Sequence, residues 1–158
     1  MKNLIFVAIF LLSLTTTAQT IDNFEFKDVS NKSRTYDELK GSSITILDFW
    51  ASWCKPCMKA IPELNKLYET YKDKGVQIIG INCDGPRSVS KVAPLTKSLN
   101  ISYPILIDLN SSLMNRLNVG ALPTLVILNN KGKVVWVHEG YVNGDAELIA
   151  AQIEKLIK

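Results

Sequence analysis

Ile44-Thr45-Ile46-Leu47-Asp48-Phe49-Trp50-Ala51-Ser52-Trp53-Cys54-Lys55-Pro56-Cys57 is the stretch that decides the fold. Its first half, Ile44 to Trp50, is a short apolar run rich in branched and aromatic residues, and reads as a strand covered on both faces. Its end carries two cysteines three positions apart. Apolar residues then recur at Ile61, Leu64, Leu67, Tyr68 and Tyr71, the spacing of a helix over Met58 to Asp73. Pro62 is expected to kink that helix, and Lys74-Gly75 to end it. A Cys-x-x-Cys at a strand-to-helix junction is a setting in which two sulfurs can alternate between dithiol and disulfide.

Working outward, residues 19–43 show modest alternation at Phe24, Phe26 and Val29, a turn at Asn31-Lys32-Ser33, and then Thr35-Tyr36. This predicts a hairpin at a sheet edge, followed by a helical turn over Tyr36 to Leu39 closed by Gly41. Downstream, Val76 to Ile81 is a second buried strand and Asp84-Gly85-Pro86 a turn. Val89 to Leu99 reads as a helix, although it contains Pro94. Tyr103 to Ile107 reads as a third strand, and Ser111 to Leu117 as a short helix capped by Ser111 or Ser112. Leu125 to Leu128 and Val134 to Val137 flank Asn129-Asn130-Lys131-Gly132, a strong hairpin signal. Asp145 is expected to cap a last helix whose buried face carries Leu148, Ile149, Ile153, Leu156 and Ile157. Strands alternating with helices predict an α/β fold with a parallel sheet covered on both faces, to which the closing hairpin adds antiparallel strands.

The 158 residues amount to one domain, and a net charge of +3 without basic or acidic tracts gives no reason to expect nucleic acid. Three cysteines are too few for a disulfide scaffold but allow one functional pair and one bystander. The chain opens with Lys2, an apolar run from Leu4 to Leu14, and small residues at Thr16-Thr17-Ala18. This predicts a secretory signal, residues 1–18, cleaved after Ala18 to leave one domain over 19–158. The alternative is an uncleaved anchor, but a bilayer span takes about 18 or more apolar residues and this run is shorter. Disulfides persist outside the cytoplasm, so an exported Cys-x-x-Cys is either kept reduced by a partner or acts as an oxidant.

With the motif placed, Leu47 to Cys57 resembles the active-site segment of the thioredoxin superfamily, and Ala121-Leu122-Pro123-Thr124 resembles its cis-proline loop. The hairpin ahead of Ile44, the extra helix of 88–99 and Tyr103-Pro104-Ile105-Leu106-Ile107-Asp108 resemble the TlpA/ResA-like branch of exported oxidoreductases. The resemblance covers about residues 24–157. It implies a thioredoxin fold, a central mixed sheet flanked by helices with an N-terminal β-hairpin extension. It also implies Cys54 as the exposed attacking thiol, Cys57 as the resolving thiol, and Pro123 as a cis-proline facing them that helps dock an extended peptide. Members of the branch often carry Glu three residues after the second cysteine; that position here is Ala60, and Asp48 stands where those members often have Asn.

Each residue has a physical rationale. The thiolate is the nucleophile, and the free N–H groups at a helix start favour charge on Cys54. Lys55 adds a neighbouring positive charge, and Pro56 suits a first helical turn and stiffens the loop. Cys57, one turn inside, is expected to be more buried. Asp48 sits among apolar residues, where a carboxylate's pKa rises toward that of a usable proton acceptor; the alternative is an exposed strand position. Trp53 is expected on an apolar surface around Cys54, with Trp50 packed beneath. Leu122 and Pro123 would offer backbone for strand-like pairing with a substrate. Cys83 reads as a small buried hydrophobe rather than a regulatory thiol. His138 reads as structural. No cofactor or metal is expected: four zinc ligands are not easily assembled from three cysteines and one distant histidine. A peroxidase reading finds no Thr-x-x-Cys.

The expected activity is thiol–disulfide exchange, most simply reduction of disulfides in exported proteins by a monomer recharged from a membrane thiol–disulfide donor. Cytochrome c maturation and general disulfide repair are the contexts that the branch implies. An oxidant or isomerase, and a peptide-binding module with an inert pair, are the alternatives.

Overall fold

The computed structural model describes residues 19–158; the expected signal segment lies outside the described residues. The predicted first hairpin forms as β1 (Glu25–Asp28) and β2 (Ser33–Thr35), followed by the helical turn α1 (Tyr36–Leu39). β3 (Ile44–Trp50) is buried along its whole length, as its two-sided apolar run predicts. The helix α2 spans Lys55–Tyr71, three residues earlier than its periodicity suggests, because its first turn lies inside the cysteine motif; it continues across Pro62. β4 (Val76–Asn82), α3 (Val92–Ser98), β5 (Ile105–Ile107), α4 (Ser112–Arg116), β6 (Thr124–Asn129), β7 (Val134–Glu139) and α5 (Asp145–Leu156) complete the chain.

The seven strands lie in the order β2-β1-β5-β4-β3-β6-β7. β3, β4 and β5 are parallel; the two hairpins pair antiparallel at either side, with the β1–β2 extension at one edge and β7 at the other. Strand side chains alternate between faces, so β3 divides the core. Ile44, Ile46 and Trp50 pack with Ile61 and Leu64 of α2, Val92 of α3, and Ile149 and Ile153 of α5. Leu47 and Phe49 pack on the opposite face with Leu113 of α4 and Tyr36 of α1. Each face therefore buries an apolar layer, at about 25 cal/mol per Å² of area removed from water.

Several local expectations are corrected. α4 is not capped by its serines: Ser111 makes no side-chain cap and has φ 53°, and Asp108 instead accepts from the N–H groups of Ser112, Leu113 and Met114 at 2.7, 2.9 and 3.0 Å. A carboxylate at the end of the preceding strand reaches three orphan donors that a serine hydroxyl could not serve together. Asp145 is the first residue of α5, not its cap, and its carboxylate accepts from Val142 N–H at 2.7 Å. Leu148 is exposed at 50%, because the buried stripe of α5 follows Ile149 and Ile153. The third strand begins at Ile105 rather than Tyr103.

The described chain begins at the β6–β7 turn. Thr20 bridges Lys133, Ile21 N–H donates to Gly132 O at 2.9 Å, and Val134 N–H donates to Gln19 O at 2.8 Å.

Candidate active site

Cys54 is the N-cap of α2, and its Sγ accepts from the Cys57 N–H at 3.2 Å. Pro56 falls in the first turn, where its missing N–H costs nothing, and no acidic residue lies there. The positive end of a 17-residue helix thus meets a sulfur with no competing anion on the first turn, the arrangement that stabilises a thiolate. Cys54 and Cys57 form a disulfide, with Cα atoms 5.3 Å apart.

The expected exposure of Cys54 is corrected: in the disulfide it is 4% exposed, against 1% for Cys57. Both belong to the cluster on the α2 face. The surface beside them is Trp53, 66% exposed, with Lys55 and Pro56 also exposed; Trp50 is fully buried. The Leu122–Pro123 peptide is cis. Thr124, the next residue, pairs with Phe49 at the end of β3 from which the motif departs, so Pro123 and the cysteines share one end of the sheet. The Pro123 carbonyl accepts from Gly140 N–H at 2.7 Å, and half-buried Leu122 packs against the cysteine-containing cluster.

Asp48 is 1% exposed and lies on the face of β3 that carries Ile46 and Trp50, toward α2. Burial pushes its carboxyl up to about 7, and the hydroxyl of Tyr103, donating at 3.1 Å, pulls the other way. A carboxyl titrating near neutrality can take and return a proton at working pH.

Two features of the site escape a reading of the sequence. Asp84 appears there as a turn residue, yet it is fully buried and holds the active-site loop: its carboxylate accepts from Ser52 N–H and Ser52 Oγ, both at 2.6 Å, and from Asn82 Nδ2 at 2.9 Å. Tyr103 appears there as a strand residue, yet its hydroxyl partners Asp48. The available signal for Tyr103 was Gly80, a glycine inside an apolar strand, which marks a close approach. Cys83 is buried, and burial first, with Asp108, Asp48 and Asp84 adding, pushes its thiol up to about 12. It stays protonated and inert. His138 stacks on Trp136 and lies 3.0 Å from Asp145 Oδ2.

The chain matches the AhpC/TSA family over residues 17–137. It is 32% identical over 146 residues to the thiol-disulfide oxidoreductase ResA of Halalkalibacterium halodurans, covering 92% of this chain and 80% of the relative. It is 37% identical over 113 residues to ResA of Bacillus cereus, covering 72% of this chain and 64% of that relative. A solved structure from Chlorobium tepidum, assigned as a thiol:disulfide interchange protein DsbE, superposes with a TM-score of 0.81 at 25% identity, over 89% of this chain and 97% of the other. The architecture is thioredoxin-like.

Proposed function

The chain belongs to the AhpC/TSA family and is a thiol–disulfide oxidoreductase of the thioredoxin superfamily, and from that premise we propose that it reduces disulfides of exported proteins through the Cys54/Cys57 dithiol. The observation that carries this reading is the cysteine pair at the start of α2, with a backbone N–H on the Cys54 sulfur and a buried Asp48 on the α2 face of the neighbouring strand.

In the forward direction the Cys54 thiolate attacks a substrate disulfide. A Cys54–substrate bond forms, and one substrate sulfur leaves as a thiolate. Asp48 accepts the Cys57 proton. Cys57 then attacks the Cys54 sulfur, closing the protein disulfide and releasing the second substrate sulfur, which takes up a proton. Two electrons pass from protein to substrate, and a membrane thiol–disulfide donor returns them. Trp53, Lys55, Pro56, Leu122 and Pro123 supply the docking surface for an extended substrate segment. Residues 1–18 act as the export signal, and the protein works as a monomer.

The test is a Cys57→Ser protein, which is expected to accumulate mixed disulfides with exported proteins on Cys54 while the unaltered reduced protein reduces insulin. No trapped partner together with no insulin reduction would leave a peptide-binding module as the better account. A potential well above the glutathione poise, about −220 to −260 mV, would make the protein an oxidant or isomerase.

A further inference from the structure

Gly80 registers against Asp48 on one side and Ile105 on the other, in the middle of the parallel strands. A Cβ placed there would lie 2.3 Å from Ile105 Cδ1, 3.2 Å from Trp50 Nε1 and 3.3 Å from Tyr103 Cε2. The bare backbone of β4 is therefore the floor over which the Tyr103 ring passes. The ring is 4% exposed, rests edge-on against Tyr68 with centroids 6.0 Å apart, and delivers its hydroxyl to Asp48 Oδ2 at 3.1 Å, across 55 positions of sequence. The ring belongs to the core cluster on the α2 face, while its hydroxyl is spent on Asp48. Trp50 Nε1, at the edge of the same gap, is buried without a hydrogen-bond partner among the described residues.

Resting on the reading of Asp48 as proton acceptor, we infer that Tyr103 is a positioning residue for the resolving step: its hydroxyl holds the Asp48 carboxylate in place and favours its ionised form, with Gly80 as the opening that lets it do so. The chemistry sets the direction. The phenol is a donor to the carboxylate, and burial first, then the neighbouring Asp48, hold the Tyr103 hydroxyl well above its ordinary range, so it keeps its proton. A donor that stays protonated stabilises the charged acceptor and offsets part of its desolvation. Other titratable groups do not take this role. Among the described residues, the hydroxyl of Tyr103 makes the one side-chain hydrogen bond to Asp48. Tyr68 touches the ring of Tyr103, and Cys54 and Cys57 sit at the start of α2. Cys83, beyond the end of β4, feels the Asp48 charge but stays neutral.

The experiment mixes reduced protein with a chromogenic aromatic disulfide. Attack by Cys54 releases one coloured thiolate and resolution by Cys57 releases the second, so the two steps appear as separate phases that can be followed against pH. Tyr103→Phe removes one hydroxyl and keeps the ring. It is expected to leave the first phase unchanged, to move the midpoint of the second upward by about one pH unit, and to slow the second about tenfold below that midpoint, the effect of losing one hydrogen bond to a charged acceptor. In an Asp48→Asn background, Tyr103→Phe is expected to add nothing. Asp48→Asn slowing the second phase while Tyr103→Phe leaves its midpoint in place would overturn the inference and spare the proton acceptor. Asp48→Asn leaving the second phase unchanged would overturn both. Equal slowing by Tyr103→Phe in the presence and absence of the Asp48 carboxylate would show a packing role only.

Discussion

Asp48 and Asp84 are buried to the same degree and flank the same active-site loop, yet the fold treats them in opposite ways. Asp84, just past the end of β4, receives two hydrogen bonds from Ser52 and one from Asn82. Burial pushes its pKa up, but the hydrogen bonds from Ser52, with help from Ser88 and Asn82, outweigh burial and leave it below the usual carboxylate range. Asp48, in the middle of β3, has the single hydroxyl of Tyr103, and burial wins. Asp108 is also rich in donors, its carboxylate accepting from the N–H groups of Ser112, Leu113 and Met114 at the start of α4. Burial alone does not mark a carboxylate as functional. The number of donors around it separates a carboxylate that holds a loop from one left free to exchange a proton.

The contrast can be broken by pH first. The folded state holds the Asp48 proton up to about pH 7, while the unfolded chain releases it near the ordinary value of 3.8. The unfolded state therefore binds fewer protons across that window, and stability falls as pH rises through it. The oxidised protein is expected to lose about 3 kcal/mol between pH 5 and pH 8, at about 1.4 kcal/mol for each pH unit from 5 up to the folded-state value of about 7. Urea unfolding at pH 5 and pH 8 measures this, and Asp48→Asn should remove most of the difference. An equal slope in Asp48→Asn would place the titration elsewhere.

Asp84→Ala is expected to cost about 3 kcal/mol, because it strands the Ser52 and Asn82 donors. The loss should be the same at pH 5 and pH 8, since a carboxylate held low is ionised throughout. If Asp84→Ala instead kept full stability and slowed resolution, the division between the two aspartates would fail. Asp48→Asn should slow resolution about a hundredfold at neutral pH, within the range for a positioned proton acceptor, and change the initial attack by less than about twofold. Equal slowing of both phases would argue against proton transfer. Ser52→Ala removes one of Asp84's donors and leaves the backbone N–H; the expected cost in urea unfolding is about 1 kcal/mol, without effect on resolution.

What was legible in the sequence was whatever repeats over a short distance. The two-sided apolar run made β3 recognisable to the residue, the Asn129 to Gly132 turn located the last hairpin, and the two motif segments identified the family. The site's long-range partners carry no such period. Tyr103 and Asp48 are 55 positions apart, and Ser52 and Asp84 are 32 apart. Only the parallel pairing of β3, β4 and β5 brings them together. Ser111 has the right chemistry for a cap and the wrong backbone, while Asp108 reaches the same N–H groups from outside the helix. Leu148 fails for a simpler reason: one stripe of α5 meets the sheet, and an apolar residue off that stripe stays in solvent.

The tie between Gln19–Ile21 and the β6–β7 turn also orients the molecule. That turn lies beside Ile44, at the start of β3, whereas the cysteines follow its far end; seven residues of strand, about 3.3 Å each, separate the two poles by roughly 20 Å. An attachment made directly at Gln19 starts from the pole remote from Cys54. A sensor or affinity column joined directly at Gln19 would present every dithiol outward.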